Sequence, residues 1–142
     1  MQPKKKFNPK ARKNARGLVL QALYQWQISG NTISDIEHQF LIENDFEETD
    51  REFFLELLHA IPAHLDEIQA SFEPYLDRPV DQLTPIELAV LRIGSYELNF
   101  RPDIPFKVAI NEALELNKLF GATDAYKFIN GVLDKIAQAK PK

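Results

Sequence analysis

Leu83-Thr84-Pro85-Ile86-Glu87-Leu88 carries each signal that opens an α-helix. Thr84 can cap the first free amides, Pro85 suits the first helical position, and the Glu87 carboxylate can reach back to the cap amide. Leu83 and Leu88 are spaced for a hydrophobic staple across that cap. The reading predicts a helix to about Leu98. Beyond it, a helix from Pro105 to Gly121 keeps Ala109, Ala113, Leu116 and Phe120 in phase, and a last one from Thr123 buries Ile129, Val132, Leu133 and Ile136. Working back towards the N-terminus, the first helix is expected over about residues 9–29, with Pro9 in its first turn and Gly30 just past its end. Its apolar residues Ala15, Leu18, Val19, Ala22, Leu23 and Trp26 recur at three- and four-residue steps, which gives one buried face. A shorter helix starts near Thr32 or Ser34 and carries Ile36, Phe40 and Leu41. Thr49 and Glu52 have capping-box spacing and mark a third start, with Phe53, Leu57, Leu58 and Ile61 inward. Pro62 kinks or splits that helix before Leu65, Ile68, Phe72 and Tyr75. The expected fold is all-α: one domain over residues 1–142, a bundle of six to seven helices with short loops.

Composition narrows the classes of function. Five glycines among 142 residues leave little room for glycine-rich phosphate loops, and none is present; nor is there a GxSxG or HExxH motif. Cysteine is absent, which removes disulfides, thiolate metal sites and cysteine nucleophiles and favours a reducing compartment. The run from Ile86 to Arg92 is interrupted by charge and is far too short for a bilayer. Gln21 and Gln25 break the apolar residues behind the basic N-terminus, so a secretory signal is not expected and the cytoplasm is. His38, His59 and His64 have no metal-ligand spacing, and no carboxylate is marked by its neighbours as a tuned acid or base. No catalytic residue, metal site or cofactor is predicted.

The net charge of −4 conceals an uneven distribution. Residues 1–16 hold Lys4, Lys5, Lys6, Lys10, Arg12, Lys13 and Arg16 and no acid, which leaves 10 basic against 21 acidic side chains in the rest. A basic arm of about residues 1–16 on an acidic body implies two surfaces with different partners. At about 100° per residue, Lys6, Lys13, Gly17 and Tyr24 share one helical line, flanked by Lys10, Leu20 and Gln27. Cations leading to an exposed ring suit unpaired RNA: ammonium groups meet phosphates and the ring stacks on a base. A solvated tail beside a half-buried tyrosine fits the same residues. The acids between Asp35 and Glu56 read as a solvated face. In the last helix Asp124, Phe128 and Gly131 form one stripe. Asp124 suits the helix dipole at the first turn, and mid-helix Gly131 suggests a close approach, most often by a neighbouring helix.

Four stretches carry a resemblance: Val19-Leu20-Gln21-Ala22-Leu23-Tyr24-Gln25-Trp26-Gln27, Glu87-Leu88-Ala89-Val90-Leu91-Arg92-Ile93, Pro105-Phe106-Lys107-Val108-Ala109-Ile110-Asn111-Glu112-Ala113 and Lys127-Phe128-Ile129-Asn130-Gly131-Val132-Leu133-Asp134-Lys135. In order and spacing they resemble the signature blocks of the NusB family, over essentially the whole chain. The resemblance implies a non-catalytic RNA-binding adaptor of transcription antitermination. It also implies a small-subunit ribosomal protein, NusE, as partner, and the single-stranded boxA element of nascent transcripts, notably of ribosomal RNA operons, as ligand. RNA polymerase and other Nus factors complete the implied assembly, and the free protein is expected to be a monomer or weak homodimer. By the same resemblance the basic motif falls on residues 4–16, the RNA-facing ring on Tyr24 and a C-terminal RNA-proximal pair on Asp124 and Phe128. Glu87 becomes the carboxylate that meets NusE. Two other classes fit the sequence: a purely protein-binding helical module, and an accessory domain related to those fused to RNA methyltransferases.

Overall fold

A computed structural model describes residues 8–140. Seven α-helices occur among them, α1 (Pro9–Ser29), α2 (Ile33–Glu43), α3 (Arg51–Ala63), α4 (Leu65–Phe72), α5 (Pro85–Phe100), α6 (Phe106–Phe120) and α7 (Tyr126–Ala139), and no strand is found there. The remaining regular pieces are single 3₁₀ turns at Glu73–Tyr75, Val80–Gln82 and Thr123–Ala125. The fold is therefore all-α, with the helix number at the upper end of the expectation.

Local chemistry explains most boundaries. Asn8 accepts the Ala11 amide at 3.1 Å, Pro9 opens α1, and Gly30 closes it in the left-handed region at φ 73°. The expected capping box at α5 is complete: Thr84 Oγ1 accepts the Glu87 amide at 3.1 Å, and Glu87 Oε1 accepts the Thr84 amide at 2.8 Å. At α3 the cap is Asp50, not Thr49; its Oδ1 accepts the Phe53 amide at 3.0 Å. The adjacent aspartate is the better acceptor, and the Asp50 amide also donates to the Ala11 carbonyl of α1 at 3.0 Å. Pro62 sits inside α3, and the chain breaks two residues later at His64. Proline has no amide for the carbonyl of Leu58, so the last turn is weakened and the direction changes there.

Helices α1, α2 and α3 pack on one another, while α4, α6 and α7 surround α5. Helix α5 also touches α1 and α3, so it joins the two groups. Every residue from Ala89 to Glu97 is buried, as expected for a helix covered on all sides. One core cluster draws side chains from all seven helices, including Val19, Ile36, Phe54, Phe72, Leu91, Leu116 and Leu133. Trp26 is only half-buried at its edge.

The close approach expected at Gly131 occurs at another glycine. Gly131 is exposed, and a Cβ there would meet nothing within 4 Å; no helix approaches it. The close approach is at Gly94 in α5, where a Cβ would lie 2.9 Å from Leu133 Cδ1 and 3.4 Å from Ala113 Cβ. That position lets α6 and α7 press against α5. Gly131→Ala is expected to stabilise the protein by about 0.5–1 kcal/mol through helix propensity. Gly94→Ala is expected to destabilise it by about 1–2 kcal/mol, overpacking outweighing the same gain. Urea-denaturation midpoints of the two variants check the opposite signs.

Candidate nucleic-acid interface

Among the described residues, the basic side chains of the N-terminal arm do not form one surface. Lys4, Lys5 and Lys6 lie outside the described residues. Lys10 is exposed, and Lys13 is exposed with its ammonium 3.8 Å from Glu115. The two arginines turn inward. Arg12 lies across the Phe53 ring at 4.9 Å from its centroid and 3.7 Å from the Asp50 carboxylate. Arg16, expected to meet phosphate, is 3% exposed and grips Glu97 of α5 with both arms of its guanidinium, Nε to Oε2 at 2.8 Å and Nη2 to Oε1 at 2.7 Å. It is not an RNA-facing cation. Its helical phase explains this: residues 12, 16, 19 and 23 form one stripe, and Val19 and Leu23 on it are fully buried. Burial pushes the Glu97 carboxyl above its usual range, and Arg16 pulls it back by hydrogen bonding and charge.

Tyr24 stands on the outer side of α1 with 40% of its surface exposed. Its ring borders a cleft of 670 Å³ between α1, α2, α6 and the start of α5, beside Leu20, Ile28, Phe40, Ile86 and Phe120. That volume accommodates a planar, base-sized group. Gly17 has no neighbour within 4 Å of a Cβ position, so the α1 surface is open between Lys13 and Tyr24. Gln27 is otherwise occupied. Its Nε2 donates to the Pro85 carbonyl at 3.1 Å, and its Oε1 accepts from Arg92 Nη1 at 2.9 Å. Gln27, expected to face RNA, is half-buried, and these two bonds hold the end of α1 to α5. Arg92 is buried next to Trp26, and desolvation pulls its pKa below the usual guanidinium value.

A second patch lies at the start of α7. Asp124 is exposed in the 3₁₀ turn before the helix, and Phe128 is half-buried one turn on. Arg78, from the loop before α5, lies over the Phe128 ring with Cζ 4.4 Å from the centroid. Its Nε donates to Asp77 Oδ1 at 2.7 Å, and its Nη1 is 3.8 Å from Glu87 Oε2. The hydrogen bond that Arg78 donates to Asp77, then the charges of Asp77, Glu87 and Asp124, hold the Arg78 pKa above its ordinary value. Thus Phe128 and Glu87 meet at one guanidinium, on which Asp124 acts by its charge. Arg78 has no mark in the sequence: it sits in a loop fifty residues from Phe128, where no periodicity links the two. The two patches adjoin through the first turn of α5, where Ile86 borders the Tyr24 cleft and Glu87 faces Arg78.

Other chemistry is sparse. Among the described residues no group of His, Asp and Glu side chains is arranged to hold a metal ion, and no helix is long and apolar enough to cross a membrane. His59 bonds Glu37 at 2.7 Å, and His64 lies 3.4 Å from Glu67.

Residues 13–138 match the model of the NusB family. The chain belongs to the NusB family. It is 55% identical over 129 residues to the transcription antitermination protein NusB of Idiomarina loihiensis, covering 91% of this chain and 93% of that protein. The corresponding protein of Pseudoalteromonas translucida is 54% identical over 129 residues, covering 91% and 95%. Among solved structures, T. maritima NusB superposes with a TM-score of 0.80 at 29% identity, over 97% of this chain and 96% of that one. A structure of the antitermination factors NusB and NusE in complex with dsRNA superposes with a TM-score of 0.74 at 27% identity, over 90% and 96%.

In this NusB-family chain, Arg16→Ala is expected to cost about 3–5 kcal/mol of stability, because Glu97 is left charged and unpaired in the core. Arg16→Met combined with Glu97→Met is expected to recover most of that loss. Chemical denaturation of the three proteins reads both effects; equal stability of wild type and Arg16→Ala would reject the assignment of Arg16 to the core.

Proposed function

We propose that this protein is a transcription antitermination factor that works without catalysis. In this reading it binds the boxA element of nascent RNA together with NusE and helps RNA polymerase, with other Nus factors, to continue through ribosomal RNA operons in the cytoplasm. The single observation that carries the reading is the open α1 surface on which Lys10 and Lys13 lead to the exposed Tyr24 ring. Lysines supply phosphate neutralisation, and the ring supplies a stacking platform for an unpaired base. The Phe128 patch continues that surface around the start of α5, and the open backbone at Gly131 leaves room for a ribose-phosphate chain beside it. In the same reading Glu87 and the α5–α6 face receive NusE, and the free protein is a monomer or weak dimer. The solved relative that carries NusE and RNA supports this choice over a purely protein-binding module. That RNA is double-stranded, whereas a stacking platform calls for unpaired bases, so a test includes both forms.

Tyr24→Ala is expected to weaken binding of single-stranded boxA RNA by roughly 5- to 150-fold, the range that loss of one base-stacking contact gives. Lys10→Ala with Lys13→Ala is expected to reduce the slope of log affinity against log salt by about 1.4. Fluorescence titrations of boxA, a scrambled oligomer and a duplex at two salt concentrations check these outcomes. Unchanged boxA affinity in Tyr24→Ala would overturn the stacking role, and equal affinity for boxA and the scrambled oligomer would favour an adaptor with no RNA specificity of its own.

A further inference from the structure

Arg78 is shared among three neighbours. Its flat face lies on Phe128, its Nε is held by Asp77, and its Nη1 stands 3.8 Å from Glu87 Oε2, which is ion-pair but not hydrogen-bond distance. Glu87 is divided as well. Its Oε1 is used by the helix cap, so Oε2 is the oxygen left to meet a second cation. Two carboxylates are in reach of this positive charge, Asp77 by a hydrogen bond and Glu87 at 3.8 Å, and Asp124 adds a weaker influence through its charge alone. An RNA phosphate arriving at Phe128 therefore meets these carboxylates and a guanidinium that is already engaged, with the exposed Lys127 as a neighbouring cation.

We infer that Arg78 couples the two binding partners, passing from Glu87 to an RNA phosphate beside Phe128 when a cationic side chain of the protein partner takes Glu87 Oε2. This rests on the reading above, in which Phe128 faces RNA and Glu87 faces NusE. Two physical effects act in the same direction. The partner's cation neutralises one of the three carboxylates, which lowers the repulsion that the phosphate meets. It also breaks the Arg78–Glu87 pair in advance, so RNA does not have to break it again; two ligands that each disrupt one shared contact bind with positive cooperativity. The pair lies at the edge of the protein: 36% of the Arg78 side chain is exposed, while Glu87 is largely covered with 11% of its side chain exposed. The coupling expected from such a pair is about two- to five-fold in affinity. Reciprocity requires RNA to raise the affinity for NusE by the same factor.

The test measures boxA RNA affinity with and without saturating NusE for wild type, Glu87→Gln and Arg78→Gln, all checked for unchanged helicity and melting. Glu87→Gln keeps an amide oxygen for the Thr84 cap but removes the charge. It is expected to raise RNA affinity of the protein alone about two- to five-fold and to reduce the enhancement by NusE by the same factor. Arg78→Gln is expected to weaken RNA binding and to lose the same part of the enhancement. Arg78→Lys, which retains the charge without the planar face, is expected to fall between wild type and Arg78→Gln. If wild type binds boxA and Tyr24→Ala weakens it, yet both charge variants keep the full wild-type enhancement, the coupling is overturned and the functional reading stands. If wild type has no preference for boxA with or without NusE, both fall.

Discussion

Helix α5 is buried along its whole middle, yet it carries Arg92, Ser95 and Glu97 there. A charged carboxylate in that position needs a cation from inside the protein, and Arg16 of α1 supplies it through two short bonds. Such a pair adds little net stability compared with apolar residues of similar volume, because both ions give up their hydration. Its effect is geometric. With two parallel hydrogen bonds, the guanidinium fixes both the height and the rotation of α1 against α5. The surrounding groups reinforce that setting: Phe53 is flanked by Arg12, Arg16 and Arg101 at 4.9, 5.1 and 5.6 Å, and Arg101 in turn bonds Glu56 and Asp103.

The rotation so fixed decides which side chains of α1 face water. Counting about 100° per residue from Arg16, Lys13 lies about 60° around the helix, Tyr24 about 80°, Gly17 about 100° and Lys10 about 120°. All four fall in one sector at the side of the buried stripe. At the far end of α1, Gln27 fixes the same rotation a second time by bonding the Pro85 carbonyl and Arg92. The outer surface is thus defined from within: two polar contacts to α5, one near each end, hold the cations and the ring on a common side. The start of α5 also joins the two patches, since Ile86 turns to the Tyr24 cleft while Glu87 turns to Arg78.

Helix ends were legible in the sequence where the determinant is local. Pro9, Gly30, Thr84, Pro85 and Glu87 act on amides within four residues of themselves, and their effect follows from spacing alone. Even the displaced cap at α3 involves neighbours, Asp50 in place of Thr49. What the sequence did not reveal depends on the residue across the interface. Arg16 belongs to a run of cations in sequence and to the core in space, because Glu97 lies 81 positions away. Gln27 and Arg78 are decided by contacts to α5 and α7 that no periodicity encodes. Gly131 and Gly94 look alike as mid-helix glycines, and only the packing of α6 and α7 on α5 separates the open one from the crowded one. A phase argument would have caught Arg16: steps of three and four place it on the stripe of Val19 and Leu23.

That inward turn of the arginines changes what the basic end of α1 can do. Arg12 and Arg16 have the planar, bidentate heads that suit recognition of bases and paired phosphate oxygens, and both are drawn to the protein's own carboxylates and to Phe53. The exposed cations left beside Tyr24 are Lys10 and Lys13, which meet phosphate as point charges and carry no base code. On the function proposed above, attraction to RNA on this surface would be electrostatic and tolerant of sequence, while discrimination would fall to groups that touch bases. On the described surface those are the ring of Tyr24, the ring of Phe128 and the guanidinium lying on it. On the same proposal, specificity would depend on the junction at the start of α5, where Ile86 lines the Tyr24 cleft and Glu87 stands beside the Arg78 guanidinium on the Phe128 ring.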